Sequence, residues 1–214
     1  MSTDIPKICA DSLRNSLKEK HGAKLKAAHA HELVAAYFGY KSKNALLADK
    51  THPISNLPKA QVVIMVPKED IDERRACLDD LPAELPDSHS MGEAVYEPLF
   101  ASDHWQSPLP PFRSYQAFAK YTLDNNEAFN RLHRKLHTAP MHHVYSVMDS
   151  GHEVAITVFH TYEEPKADAL AHGKITMVIP RLAGKIGFGQ PKVSTPENWT
   201  GGARRSLSSL GVSI

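Results

Sequence analysis

"KLKAAHAHELVAAYFGYKSKNALLAD", Lys24 to Asp49, is the most regular stretch of the chain and the one from which its fold is read. Leu33, Val34, Tyr37 and Phe38 make one broad apolar face and predict a helix beginning near Ala28. Gly39 is placed to take the left-handed conformation that ends such a helix, and Ser42 to cap a short one carrying Ala45, Leu46 and Leu47. A unit of helix, tight turn and helix needs a surface to pack on. Residues 5–21 supply it, with Ile8, Leu13 and Leu17 at near-helical spacing, Asp4 as a cap and Gly22 as a stop.

Working outward, "THPISNLPKA", Thr51 to Ala60, contains two prolines and reads as a linker between a helical module (1–50) and a second body (61–214). "QVVIMV", Gln61 to Val66, is a short β-branched run and predicts a buried strand. Glu69 to Leu81 reads as a helix, and Ser90 with Glu93 has capping-box spacing before a helix that Pro98 should stop. His104 to Phe112 reads as stiff and extended. Ser114 caps one further helix, and Asp124 with Glu127 opens another through Phe129, Leu132 and Leu136. From Met141 the period changes to two. "HHVYSVM", the turn "DSG" and "HEVAITVF" predict a hairpin, "KITMVI" a third strand, "GKIGFGQP" a loop or bulge, and Gly202 to Leu210 a closing basic helix. The expected class is α+β: a three-helix module and a body of helices packed on a small, mainly antiparallel sheet.

Net charge is +1 over 214 residues, but it is unevenly laid out. Residues 1–50 hold nine Lys/Arg against five Asp/Glu (+4), residues 51–170 ten against eighteen (−8), and residues 171–214 six against one (+5). Basic ends around an acidic middle suit either an anion-binding surface or a self-complementary fold. No apolar run is long enough to span a bilayer, and the start lacks the pattern of a secretory signal, so a cytoplasmic protein without membrane contact is expected. Cys9 and Cys77 read as reduced packing residues.

Of the thirteen histidines, His133 and His137 are four apart on an expected helix, with His142 and His143 soon after; such a pair could hold zinc with a third ligand, which makes a metal-dependent enzyme the rival reading. Arg131, Arg134 and Lys135 beside them would repel a divalent ion. His29, near the start of its helix, is expected to act as a cap. The chain has no GxSxG elbow, and its Gly184, Gly187 and Gly189 match neither the dinucleotide fingerprint nor the phosphate loop, so no cofactor and no catalytic residue are expected. The positive signal is lysine: Lys24 and Lys26 before the second helix, Lys41 and Lys43 in the turn after it with Asn44 beside them, and Lys185, Arg204 and Arg205 near the C-terminus. These residues are the candidates for phosphate-backbone or partner contact.

His29, Glu32, Leu33, Ala35, Gly39, Tyr40, Leu46 and Leu47 together resemble the "glyoxalase-related" helical module found at the start of many bacterial proteins; Ala28 stands where that module has a capping serine. "DERRACLDDLPAELPDS" and "WTGGARRSL" look like segments of proteins carried on plasmids and integrative elements of Gram-negative bacteria. The resemblance implies a non-enzymatic accessory protein of a mobile genetic element that binds nucleic acid, a nucleoprotein or another protein. A third reading has the module recruiting a host protein through Tyr37, Phe38 and Tyr40.

Overall fold

In a computed structural model of the chain the described residues are 4–100, 109–127, 142–164, 169–194 and 197–198. The fold is α+β, divided into two compact units, residues 1–114 with 180–190 and residues 115–179 with 191–214.

In the first unit α1 (Ile5–His21) starts on Asp4, whose carboxylate accepts from the Lys7 N–H at 3.2 Å, and ends on Gly22 in the left-handed region, φ 65°. α2 (Ala27–Tyr37) and α3 (Lys43–Ala48) follow, and the Ser42 hydroxyl accepts from the Ala45 N–H at 3.1 Å. These caps lie where the residue types predict them, because a cap is a local bargain between one side chain and one free N–H. The expected His29 cap is not made: its Nδ1 is buried without a hydrogen-bond partner, and α2 begins with no side-chain cap. The cap position is held by Lys26, and Ala28 lies inside the helix.

Residues 51–60 hold a 3-10 helix, Ile54–Lys59, whose Ile54 and Leu57 are buried in the same core as Leu13, Leu17, Leu33 and Val34. β1 (Val62–Val63) pairs antiparallel with β5 (Gly187–Phe188), which in turn pairs with the end of β4 (Ala169–Ala183) at Arg181 and Ala183. α4 (Lys68–Ala76) is shorter than the expected Glu69–Leu81, turning off at Cys77. α5 (Ser88–Phe100) contributes Met91, Val95, Tyr96 and Leu99 to the core. Full burial of each large apolar side chain stabilises the unit by about 1.5–3 kcal/mol relative to exposure.

Two expectations about α5 are corrected. Its cap is Asp87, whose carboxylate accepts from the His89 and Ser90 N–H groups at 2.8 and 3.2 Å, and from the Ser90 hydroxyl; Ser90 is therefore inside the helix. Pro98 does not stop the helix, which runs on to Phe100.

The second unit pairs α6 (Tyr115–Asp124) with a meander of β2 (His142–Asp149), β3 (Glu153–Glu164) and β4 (Ala169–Ala183, whose end from Pro180 belongs to the first unit). β2 and β3 run antiparallel with Asp149 opposite Val154, around a turn in which Gly151 has φ 85°. β6 (Lys192–Val193) and β7 (Glu197–Asn198) both pair with β4. The period-two expectation is met face by face: Val154, Ile156 and Val158 of β3 and Ile175, Met177 and Ile179 of β4 are buried, and Phe118, Ala119 and Leu123 of α6 are buried too. The helix expected through Phe129, Leu132 and Leu136, the start of the segment expected from His104, and the closing helix Gly202–Leu210 lie outside the described residues.

Candidate functional site

The basic residues singled out in the sequence are separated by the structure into distinct places. Lys24 and Lys26 precede α2, and Lys41 and Lys43 follow it; an eleven-residue helix puts about 16 Å between the two pairs. Lys26 faces the acidic stretch, with Nζ 3.8 Å from the Asp80 carboxylate. Both side chains are largely exposed, which makes this a weak surface pair.

The turn after α2 is built differently. Gly39 has φ 82°, its N–H donates to the Ala36 carbonyl at 2.8 Å, and the Tyr40 N–H donates to the Ala35 carbonyl at 2.9 Å. This is the paired arrangement that closes a helix on a left-handed glycine, with the apolar body of Tyr40 folding back. Tyr40 then donates its hydroxyl to Asp49 at 2.5 Å, and Asp49 also accepts from the Thr51 and His52 N–H groups, each at 2.9 Å. Burial acts to raise the Asp49 carboxyl, but these hydrogen bonds outweigh it and hold the group below the ordinary carboxylate value. Burial, and then the adjacent carboxylate, push the Tyr40 phenol up.

Glu32 fixes the other side of the turn. Its carboxylate accepts from the Lys43 N–H at 3.1 Å and pairs with Arg74 at 3.4 Å, so one half-buried acid both starts α3 and ties it to α4.

Onto this turn comes a segment about 145 residues later in the chain. The Gly184 N–H donates to the His52 carbonyl at 2.7 Å and the Lys185 N–H to the Phe38 carbonyl at 3.3 Å. The aliphatic stem of Lys185 lies directly over Gly39, where a Cβ would stand 2.7 Å from the Lys185 Cβ. Buried Arg181 closes the same segment, stacking 5.3 Å over the Phe188 ring and donating to the Gly184 carbonyl at 3.4 Å. Lys41 is two residues past Gly39, so its backbone lies at most about 7 Å of chain from the glycine on which Lys185 rests. Lys41, Asn44 and Lys185 are exposed and Lys43 is half-buried. Among the described residues the ammonium groups of Lys41, Lys43 and Lys185 make no ion pair.

The other candidates fall elsewhere. His142 and His143 begin β2, while His133, His137, Arg204 and Arg205 lie outside the described residues. Among the described residues no group of three or more His, Cys, Asp or Glu is placed to hold a metal ion. Tyr37 and Phe38 are 3% and 0% exposed and belong to the core, whereas Tyr40 is half-buried with its hydroxyl on Asp49. No described helix is long and apolar enough to cross a membrane.

Compared with known protein families, characterised proteins and solved structures, the chain matches none.

Proposed function

We propose that this chain is a non-enzymatic binding protein, of the accessory kind its resemblance to plasmid and integrative-element proteins implies, and that it contacts the phosphate backbone of nucleic acid through Lys41, Lys43 and Lys185. The observation that supports the reading is the packing of Lys185 on Gly39, which brings two basic segments remote in sequence into contact. Their charges are not consumed by carboxylates of the described fold, in contrast to Lys26 and Arg74.

Backbone contact suits this edge better than base readout. α3 has six residues, about 9 Å of helix, and its exposed positions offer Asn44 but also Ala45 and Leu47. A helix so short and so poor in donors gives little with which to distinguish base edges, whereas three cations on a fixed turn suit phosphates. The test is binding of the full chain to labelled single- and double-stranded DNA and RNA over a salt series. Affinity falling linearly on a log-log plot, with little dependence on sequence, supports the reading; no binding at low salt removes it.

A further inference from the structure

A separate concavity of about 240 Å³ lies in the first unit, where the starts of α4 and α5 meet the segment after β1. Its floor is formed by Tyr37, Ile71 and Tyr96, all buried, and its walls by half-buried Met65 and Val66. Neither ring can swing in to fill this space, because both are pinned at their polar ends. Tyr96 donates to the Tyr37 carbonyl at 2.6 Å, Tyr37 donates to the Ser88 carbonyl, and the Ser88 hydroxyl donates to the Asp72 carboxylate. Arg75 fixes the loop before α5, donating to the Pro86 and Leu85 carbonyls at 2.6 and 3.0 Å. The two rings stand edge to face, 6.1 Å between centroids, and Gly92 leaves them room, since a Cβ there would lie 3.1 Å from the Tyr37 ring. The cleft is therefore preformed, as small-molecule sites usually are.

The same bonds decide what the floor can offer. The hydroxyls of Tyr37, Tyr96 and Ser88 all donate within the fold, so a guest meets ring carbon, aliphatic groups and the Met65 thioether. The rim, in contrast, carries charge of both signs. Lys68 and Arg113 stand there with Glu93, whose carboxylate is 3.5 Å from the His89 Nε2. The Ser90 N–H and hydroxyl hold the Asp87 carboxyl below the ordinary carboxylate value, and Lys68 is close enough to add to that effect. With Asp72 behind Ser88, two cations face three carboxylates, and neither an acid nor an amine finds a rim of the opposite sign. A charged guest would also give up water for a floor that returns no hydrogen bond.

Size narrows the ligand further. An apolar cavity of about 150 Å³ holds a benzene ring, and drug-sized ligands occupy upward of about 300 Å³. A volume between these fits one ring with a short arm. We infer that this cleft binds a neutral, single-ring aromatic molecule, its ring against Tyr37, Ile71 and Tyr96. Two tyrosine rings and a thioether favour an aromatic guest over a saturated one of the same size. None of Lys41, Lys43 and Lys185 lines the cleft, so this site stands or falls independently of nucleic-acid contact.

The experiment is titration of the full-length protein with four probes of one size, followed by NMR of the Met65, Val66 and Ile71 methyl groups. The probes are benzyl alcohol (neutral, aromatic), cyclohexylmethanol (neutral, saturated), benzoate (anionic) and benzylamine (cationic). Saturable shifts at those methyls are expected with benzyl alcohol. Cyclohexylmethanol should bind about threefold more weakly, and benzoate and benzylamine each about fivefold more weakly or worse. Lys68→Gln and Arg113→Gln, both at exposed positions, should bind benzyl alcohol within about twofold of the parent. Absence of saturable shifts at the three residues with benzyl alcohol would overturn the inference. So would a charged or a saturated probe that binds as tightly as benzyl alcohol, or a larger loss of benzyl alcohol affinity in either variant.

Discussion

The Ser12 hydroxyl of α1 donates to the Ala94 carbonyl of α5 at 2.8 Å, and Ala94 is the residue four before Pro98. A proline has no N–H to give the carbonyl one turn back, so continuing α5 past Pro98 leaves that oxygen without its helical donor. Ser12 supplies the replacement from a neighbouring helix, which is why Pro98 can sit inside α5 instead of ending it.

Ser12→Ala should therefore lower stability by about 1–2 kcal/mol, the cost of stranding a buried carbonyl. In a Pro98→Ala background, where the residue 98 N–H can serve Ala94, the same change should cost less than half as much. Chemical denaturation of the four proteins gives the cycle; equal cost in both backgrounds would contradict the assignment.

Gly39→Ala and Gly22→Ala separate backbone strain from packing. Both glycines have positive φ, but a Cβ at Gly39 would stand 2.7 Å from Lys185, whereas one at Gly22 would meet nothing within 4 Å. Gly22→Ala should cost about 1–2 kcal/mol from conformation alone, and Gly39→Ala clearly more, with a lowered thermal midpoint. Equal losses would mean that Lys185 does not rest on Gly39.

The two thiols should differ in reactivity. Cys9 is 0% exposed and burial pushes its thiol up to about 12, while Cys77 is exposed. A thiol-specific reagent at neutral pH should label one cysteine of the two in the folded protein and both after unfolding. Rapid labelling of Cys9 under native conditions would exclude the packing of α1 described above.

Stability should fall at alkaline pH. Burial raises the Tyr37, Tyr40 and Tyr96 phenols above their ordinary 10.0 and the Cys9 thiol above 9.0. For each group the fold favours the protonated form, so its contribution is complete below the unfolded pKa and is lost as pH rises from there through the folded value. The unfolding free energy should be insensitive to these groups at neutral pH, then decline above about pH 9–10 by up to about 1.4 kcal/mol per pH unit for each group. Asp49 acts at the other end: its carboxyl is held low, so its contribution is present above 3.8 and is lost as pH falls through the folded value. Denaturation curves at stepped pH test both limbs, and a free energy that stays level well above pH 10 would contradict burial of the phenols.

What the sequence made legible was local. Asp4, Gly22, Gly39 and Ser42 each act on groups within a few residues, so type and spacing sufficed to place α1, α2 and α3. The alternation of Val154, Ile156 and Val158 placed β3 in the same way. Reading failed where a distant partner decided the outcome. Pro98 reads as a helix stop because Ser12 is 86 residues earlier, and residues 51–60 read as a linker because the core that buries Ile54 and Leu57 is assembled from elsewhere. The candidate edge was half visible: Lys41 and Lys43 stood together, but only the contact of Gly184 with His52 and of Lys185 with Phe38 brings Lys185 to them. The cleft gave no signal at all, since its floor comes from three helices and its mouth from Lys68 and Arg113, 45 positions apart.

The most direct measurement of the central claim is the salt dependence of nucleic-acid affinity for the parent chain, a Lys41→Gln/Lys43→Gln/Lys185→Gln variant and a Lys24→Gln/Lys26→Gln variant. If the three lysines form one phosphate-contacting edge, the triple variant should bind more weakly at every salt concentration, with a log-log slope shallower by about 2–3 on duplex DNA, while the Lys24/Lys26 variant changes little. A triple variant with the slope and affinity of the parent would contradict the account.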